Sequence, residues 1–395
     1  MKNSVTPFIL RACSLLPLLC TAQASLSTVH AQEVSPTAGS QATVDRWSET
    51  AWWPTSGTPA RSEYAGAKSC AKCHGGIAVT QRTTPMFHAA SRPSESELLR
   101  RHPDLFFSES SYSYSLSRRP DATRLVIKDD KQTILAPIDW AFGAGEVAQT
   151  YMLRRDGKYV ESRITYYSNL MSLGITTGHS AIAPASLEET PGEPVDDAIA
   201  RRCFGCHSTA SSTSGKFDPD HGTLGLTCEA CHGPGAKHVT AMDSEKPVYA
   251  APTIFSAKEL SPVDSVDFCG ACHRTPVDVA VEMPANMGIA TLRFQPYRLE
   301  RSLCWGGRGD PRITCVACHD PHRPLVRDPT AYDAKCLSCH ARTGESPSAT
   351  RIAGCAVGAK ECVSCHMPKY EIPAVHAQFT DHYIRIVRPG SGFRP

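Results

Sequence analysis

Cys228-Glu229-Ala230-Cys231-His232-Gly233-Pro234-Gly235-Ala236-Lys237-His238 carries the deciding pattern: two cysteines one helical turn apart, with a histidine directly after the second. The same Cys-x-x-Cys-His arrangement recurs at Cys70, Cys73 and His74, at Cys203, Cys206 and His207, at Cys269, Cys272 and His273, at Cys315, Cys318 and His319, at Cys336, Cys339 and His340, and at Cys362, Cys365 and His366. The seven copies use fourteen of the 18 cysteines, and a shuffled chain of this composition would hold roughly 0.03 copies. Positions i and i+3 of a helix share one side, where two sulfurs can form thioethers to the two vinyl carbons of a haem. The adjacent histidine then lies under the iron as its proximal ligand. Zinc ribbons and disulfide frameworks also pair cysteines, but neither explains a histidine after every second cysteine. The expected cofactor is haem c, seven per chain and covalently held.

Each iron takes a second axial ligand or stays open, so the remaining histidines matter. Beyond the N-terminal segment these are His88, His102, His179, His221, His238, His322, His376 and His382. Eight candidates for seven irons favour bis-histidine, low-potential haems over the His/Met arrangement that raises potential. The expected distal ligands are His88, His179, His238, His322, His376 and His382, while His102 and His221 sit in polar, proline-flanked stretches and are the weaker candidates. At the first haem, Thr84-Pro85-Met86-Phe87-His88 offers either the His88 imidazole or the Met86 thioether. His238 and His322 stand too close to a proximal histidine to ligate the same iron easily, and each is expected to reach a neighbouring haem.

The N-terminus reads as a cleaved signal peptide over residues 1–31. Lys2 and Arg11 give a positive region, Leu15, Leu16, Leu18 and Leu19 a short apolar core, and Ala22-Gln23-Ala24 or Val29-His30-Ala31 a small-residue cleavage pattern. The apolar run is shorter than the ~20 residues that cross a bilayer, so the mature chain is expected to be soluble or peripheral, in the periplasm or at the cell surface. Residues 32–66, rich in Ser, Thr and Pro, read as a linker docking through Trp47, Trp52 and Trp53. A first haem module is expected over 67–107 and a β-rich insertion over 108–172. Haem motifs 2 to 4 fall in 173–303, motifs 5 to 7 in 304–388, and a tail in 389–395.

Within the insertion, Tyr112-Ser113-Tyr114-Ser115-Leu116 alternates with period two, and Asp156-Gly157 joins two β-forming runs as a hairpin turn would. A small antiparallel sheet is expected between about 108 and 168, its tyrosines serving as packing residues. From Arg201 onward the first cysteines of successive motifs lie 25, 41, 46, 21 and 26 residues apart, which leaves room for short helices and loops only. With roughly 52 mature residues per haem, too few for separate cores, the fold class expected is a multihaem cytochrome whose short α-helices and loops surround a stacked haem core. Cys304 and Cys355 belong to no motif, and export gives them the chance to form a disulfide.

The net charge of +2 includes Lys2 and Arg11, and no basic run suggests nucleic acid. Fourteen propionates would carry a neutral mature chain to about −12, favouring redox partners with basic docking patches, in a membrane or surface electron-transfer complex among other settings. The motifs Cys228-Glu-Ala-Cys-His-Gly-Pro-Gly-x-x-His238, Cys315-Val-Ala-Cys-His-Asp-Pro-His322 and Cys362-Val-Ser-Cys-His-Met-Pro-Lys369, the last leading to Phe379-Thr-Asp-His382, resemble the cytochrome c-552/4-like multihaem proteins over about 67–390. Related to that class are hydroxylamine oxidoreductase, pentahaem nitrite reductase and octahaem tetrathionate reductase. The resemblance implies stacked haem pairs, bis-histidine ligation and periplasmic or surface electron transfer, with His238 and His322 on neighbouring haems. It leaves two main functions open: an electron carrier with every iron six-coordinate, or an oxidoreductase acting on a small nitrogen or sulfur compound at one five-coordinate haem. All seven motifs end in histidine, whereas nitrite reductases of the class often attach the active haem through a motif ending in lysine. A gas or redox sensor would need a segment to pass on its signal, and the sequence offers none.

Overall fold

The computed structural model describes residues 59–244, 253–282, 288–305, 313–340, 358, 360–388 and 390–395, all within one compact unit. The expected signal peptide, the tryptophans of the linker, and Cys355 with its expected bond to Cys304 lie outside the described residues.

Ten strands run between Ala90 and Val195: β1 (Ala90–Ser91), β2 (Asp104–Glu109), β3 (Tyr112–Arg118), β4 (Thr123–Lys128), β5 (Thr133–Pro137), β6 (Trp140–Phe142), β7 (Ala148–Arg155), β8 (Lys158–Tyr167), β9 (Ser172–Ile175) and β10 (Gly192–Val195). They make two antiparallel sheets, a β2-β3-β4-β5 meander and a second sheet in the order β1-β6-β7-β8-β10 with β9 also paired to β8. The single small sheet expected over 108–168 is therefore too small a reading. The added edges are short or carry proline, as in Gly192-Glu193-Pro194-Val195, and so lack an alternating signal of their own. They form because a longer sheet offers them a partner, β6 for β1 and β8 for β10, with Gly192 opposite Ser162 and Val195 opposite Tyr159. A Cβ at Gly192 would lie 1.9 Å from the Glu161 carbonyl oxygen, so this pairing demands glycine.

The alternation in β3 does what its period implies: Tyr112, Tyr114 and Leu116 are buried while the serines between them face outward. Arg155 and Lys158 pair across the turn, with Asp156 and Gly157 both at positive φ (50° and 75°), as a type I′ hairpin requires. Leu105, Leu116, Leu125 and Ile127 of the meander share one core with Tyr151, Leu153, Val160 and Ile164 of the larger sheet. Tyr151 and Tyr166 are packed into this core too.

One ion pair sits between the sheets. Arg163 on β8 donates from Nε and Nη2 to Glu109 on β2 at 2.7 and 2.5 Å, and its Nη2 also reaches the carbonyls of Ser180 and Ile182. Arg163 is buried. Removing one partner of a buried pair leaves an uncompensated charge, a loss of about 3–5 kcal/mol. Glu109→Ala is therefore expected to destabilise the protein by about that amount in denaturant unfolding followed by far-UV circular dichroism; a change within 0.5 kcal/mol, about the scatter of surface substitutions, would show that the pair is not a structural tie.

The sheets hold two motif-bearing regions in place. Trp140, Phe142 and Met152 enclose Phe204, the residue directly after Cys203, with ring centroids 5.1 Å (Trp140) and 5.0 Å (Phe142) from it. Tyr167 at the end of β8 packs on Ile372, Val375 and Ala377 of the hairpin Lys369–Ile372/Ala377–Thr380 that follows the last motif.

Candidate haem centres

All seven Cys-x-x-Cys-His sequences lie on helices, as the geometry of attachment requires. These are α1 (Ala67–Cys73), α2 (Asp197–His207), α3 (Cys228–His232), α4 (Pro262–His273), α6 (Cys315–Cys318), α7 (Asp333–His340) and α8 (Cys362–His366), with α5 (Gln295–Glu300) between the fourth and fifth. Most are one or two turns long, too short to be stable alone. Their ends are held by side chains instead: Asp196 caps Ile199 N and Ser261 caps Asp264 N. Among the described residues none of the fourteen motif cysteines is in a disulfide, and each is at least partly accessible.

A histidine that binds a metal through one ring nitrogen needs the other fixed by a hydrogen bond. His207 donates from Nδ1 to Ala89 O (2.8 Å), His232 to Phe255 O (3.0 Å) and His366 to Arg385 O (2.9 Å). A carbonyl only accepts, so in each case Nδ1 carries the proton and Nε2 presents a lone pair. Burial holds His207, His273 and His319 below the ordinary imidazole range and brings His382 down to about 4. Neutral rings are what an iron ligand requires, so these residues fit a haem.

The distal candidates divide by surroundings. The His322 ring lies 6.1 Å from that of His232, with an interplanar angle of 5°. His382 lies 6.3 Å from His319 at 45°, its Nδ1 donating to Thr380 O. Two imidazoles on opposite faces of one metal, at bonds of about 2.0–2.1 Å, would hold their ring centroids about 6 Å apart. Both pairs have that spacing, and in both the members come from different motifs or loops. His238 hydrogen-bonds Thr253 Oγ1 at 3.0 Å through Nδ1, leaving Nε2 free.

Elsewhere the rings are engaged differently. His88 is exposed and its Nε2 donates to Arg82 O at 2.9 Å, while Met86 beside it is half-buried. His179 is enclosed, its Nε2 3.3 Å from the Glu161 carboxylate and its Nδ1 3.8 Å from Glu193. His376 sits at φ 52° against Tyr167, ring centroids 5.0 Å apart. His102 lies 5.7 Å from the Tyr166 ring, and His221, with its side chain 74% exposed, pairs with Asp218 at 2.8 Å.

Comparison with known proteins agrees with the attachment chemistry. The family described as cytochrome c554 and c-prime matches residues 177–233, which contain the second and third motifs. The multiheme cytochrome MtrA of Shewanella baltica (strain OS185) is 23% identical over 180 residues, 36% of this chain and 53% of MtrA, so the chain spans about half the length of that relative. This chain is similar to multihaem c-type cytochromes. The crystal structure of the outer cell wall cytochrome OcwA aligns over 82% of this chain and 80% of its own, at 16% identity and a TM-score of 0.44.

Several residues that shape the candidate haem centres are not motif residues. Glu229, between the two cysteines of the third motif, is buried and accepts from Ala65 N (2.7 Å), Gly66 N (2.8 Å) and Gly235 N (2.8 Å), holding the entry to α1. Asp333 at the start of α7 accepts from Glu361 N and Cys362 N, 2.7 and 2.9 Å, holding the entry to α8. Asp381, beside His382, is fully buried and accepts from Arg298 Nε and Nη2 at 2.9 and 3.0 Å, from Arg385 Nη1 at 2.6 Å and from Tyr383 N at 3.0 Å. Burial pushes its carboxyl up, but these donors outweigh burial and hold it below the carboxylate range. A carboxylate enclosed inside or beside a haem motif was the available signal in the sequence for each of the three.

α5 packs on α4, where burial and the nearby Asp267 carboxylate push the Glu300 carboxyl up to about 8. Its folded pKa thus lies above its unfolded value, and the folded state binds the extra proton between the two. Stability from this group is present at pH 5 and is lost as pH rises through 8. Glu300→Gln is expected to leave the thermal midpoint of the holoprotein nearly unchanged at pH 5 and to raise it relative to wild type at pH 9. Equal midpoints at both pH values would show that Glu300 is ionised throughout.

Proposed function

We propose that this chain is an exported heptahaem cytochrome that passes electrons between redox partners through closely packed, mostly bis-histidine haems. The observation that carries the reading is the set of seven Cys-x-x-Cys-His sequences, each on a helix of its own. Bound haem supplies a one-electron couple held at a fixed position. The chain's residues would do the rest: the cysteine pairs would anchor, the proximal histidines would ligate through Nε2, and at His207, His232 and His366 the carbonyl acceptors on Nδ1 set ring orientation and tautomer.

In this reading His322 is the distal ligand of the haem anchored by Cys228 and Cys231, and His382 of the haem anchored by Cys315 and Cys318. The ring separations support both assignments. His238, with its free Nε2, serves a neighbouring haem. His88 or Met86 serves the first haem, and His179 and His376 complete the distal set. Two imidazoles at an iron keep the potential low relative to a His/Met pair, which suits a relay.

Export rests on the N-terminal pattern and on the need to form thioethers outside the cytoplasm. Among the described residues no helix is long and apolar enough to cross a membrane, in keeping with a periplasmic or cell-surface location. The similarity to MtrA and OcwA, named as a multiheme cytochrome and an outer cell wall cytochrome, accords with work beside other redox proteins. The fourteen propionates favour partners with basic docking patches.

The test is haem stoichiometry followed by low-temperature EPR of the oxidised holoprotein, matured in a host that attaches haem c. Seven haems per chain and low-spin ferric signal throughout are expected. His322→Ala and His382→Ala should each convert one haem to high spin and leave six low-spin. A full high-spin haem in the wild type would overturn the pure carrier in favour of an oxidoreductase, and unchanged spectra in both variants would overturn the two ligand assignments.

A further inference from the structure

A thioether sulfur is bonded directly to a carbon at the porphyrin edge, so two motif helices packed together mark two cofactor edges brought near each other. Resting on the heptahaem reading, we infer that the attachment sites form a single path in the order first, third, fourth, fifth, sixth, seventh motif, with the second joined as a spur at the fourth. The two ends of the path, at the first and seventh motifs, are the places of electron exchange.

Each step has its own contact. α1 packs on α3, and Glu229 ties the two helices through Ala65 N and Gly66 N, with the Cys70 and Cys228 thiols within electrostatic reach of each other. Phe255, whose carbonyl accepts from His232, has its ring centroid 5.3 Å from that of Phe268, directly before Cys269, which links the third motif to the fourth. α4 packs on α6, with Cys269 and Cys315 within electrostatic reach. The fifth and sixth motifs meet where the Tyr332 ring lies 5.6 Å from His319, directly before α7. α7 packs on α8, where Asp333 at the start of α7 accepts from Cys362 N at 2.9 Å.

The second motif attaches elsewhere. α2 packs on α4, and Cys206 Sγ lies 3.7 Å from Ala271 O, between the two cysteines of the fourth motif. Its other side is closed by Phe204 against Trp140 and Phe142 of the larger sheet, so the path does not continue through it. Thr209, two residues after the second motif, meets Thr227, directly before the third, through hydroxyls and backbone, and no thiol of either motif takes part in these bonds.

Accessibility along the chain follows the same order. Cys73 and His74 at one end are exposed, as are Cys318, Cys339, His340 and Cys365 from the fifth motif to the other end, whereas no cysteine of the second, third or fourth motif is exposed. Sequence order alone would string the motifs one to seven. The packing instead exchanges the second for the third and sets the second aside.

Anomalous scattering at the iron edge from crystals of the full-length holoprotein locates each iron, and the covalent links assign it to a motif. The expected result is that the second-motif iron has the fourth-motif iron as nearest neighbour, and that the other six form an unbranched series with the first and seventh at its ends. A second-motif iron lying between those of the first and third motifs, or a seventh-motif iron in the interior of the series, would overturn the order. Fewer than seven irons would instead remove the heptahaem reading, and the order would still be decided by the pairs present.

Discussion

Everything in this molecule depends on how short the link is between a helix and its cofactor. Two thioethers and an adjacent imidazole leave no slack, so the position of a motif helix is the position of a haem edge. Helices of four to twelve residues such as α6 and α4 cannot hold themselves; they must be held by one another, by caps and by buried carboxylates. The contacts that fold the protein and the contacts that align its cofactors are therefore the same contacts.

The two sheets serve that constraint from outside. They carry an apolar core of their own, larger than the cluster of Val266, Leu299 and Trp305 in the motif-bearing part. To these sheets the chain fixes α2 through Phe204 and the hairpin after α8 through Tyr167, each in a smaller cluster of its own. The sheets thus make a rigid surface against which two regions of the haem-bearing half, far apart in sequence, are set. Arg163 and Glu109 join the sheets at a buried point where any slip would strand a charge.

The attachment chemistry was legible in the sequence because it is local: Cys228 to His232 is a complete statement within five residues. The Asp156-Gly157 hairpin was legible for the same reason. The extent of the sheets was not, since Ala90-Ser91 and Gly192–Val195 become strands only by pairing with β6 and β8. The spacing of His322 to a proximal ring pointed away from His319 but could not name His232 as the ring it meets. Nor could local pattern reveal that Arg298, Arg385 and Asp381 converge beside His382, since Arg298 stands 83 residues from its carboxylate. These are long-range facts, decided by which segments the fold draws together.

On the proposed ligation, that drawing-together explains why each distal histidine comes from another part of the chain. His322 follows its own motif by three residues, and the Asp320-Pro321 turn carries it away to His232, with Asp320 accepting from His322 N at 2.9 Å. His382 likewise leaves the last motif and returns to the fifth, steered by Asp381 under two guanidiniums. Each haem so ligated becomes a cross-link between segments that share few apolar contacts, and ligand binding to the folded state alone adds its free energy to folding. On the heptahaem reading, with roughly 52 residues per cofactor, the chain cannot spare that contribution. Attachment and folding must then proceed together, and a path of closely spaced cofactors is the form that the smallest workable core takes.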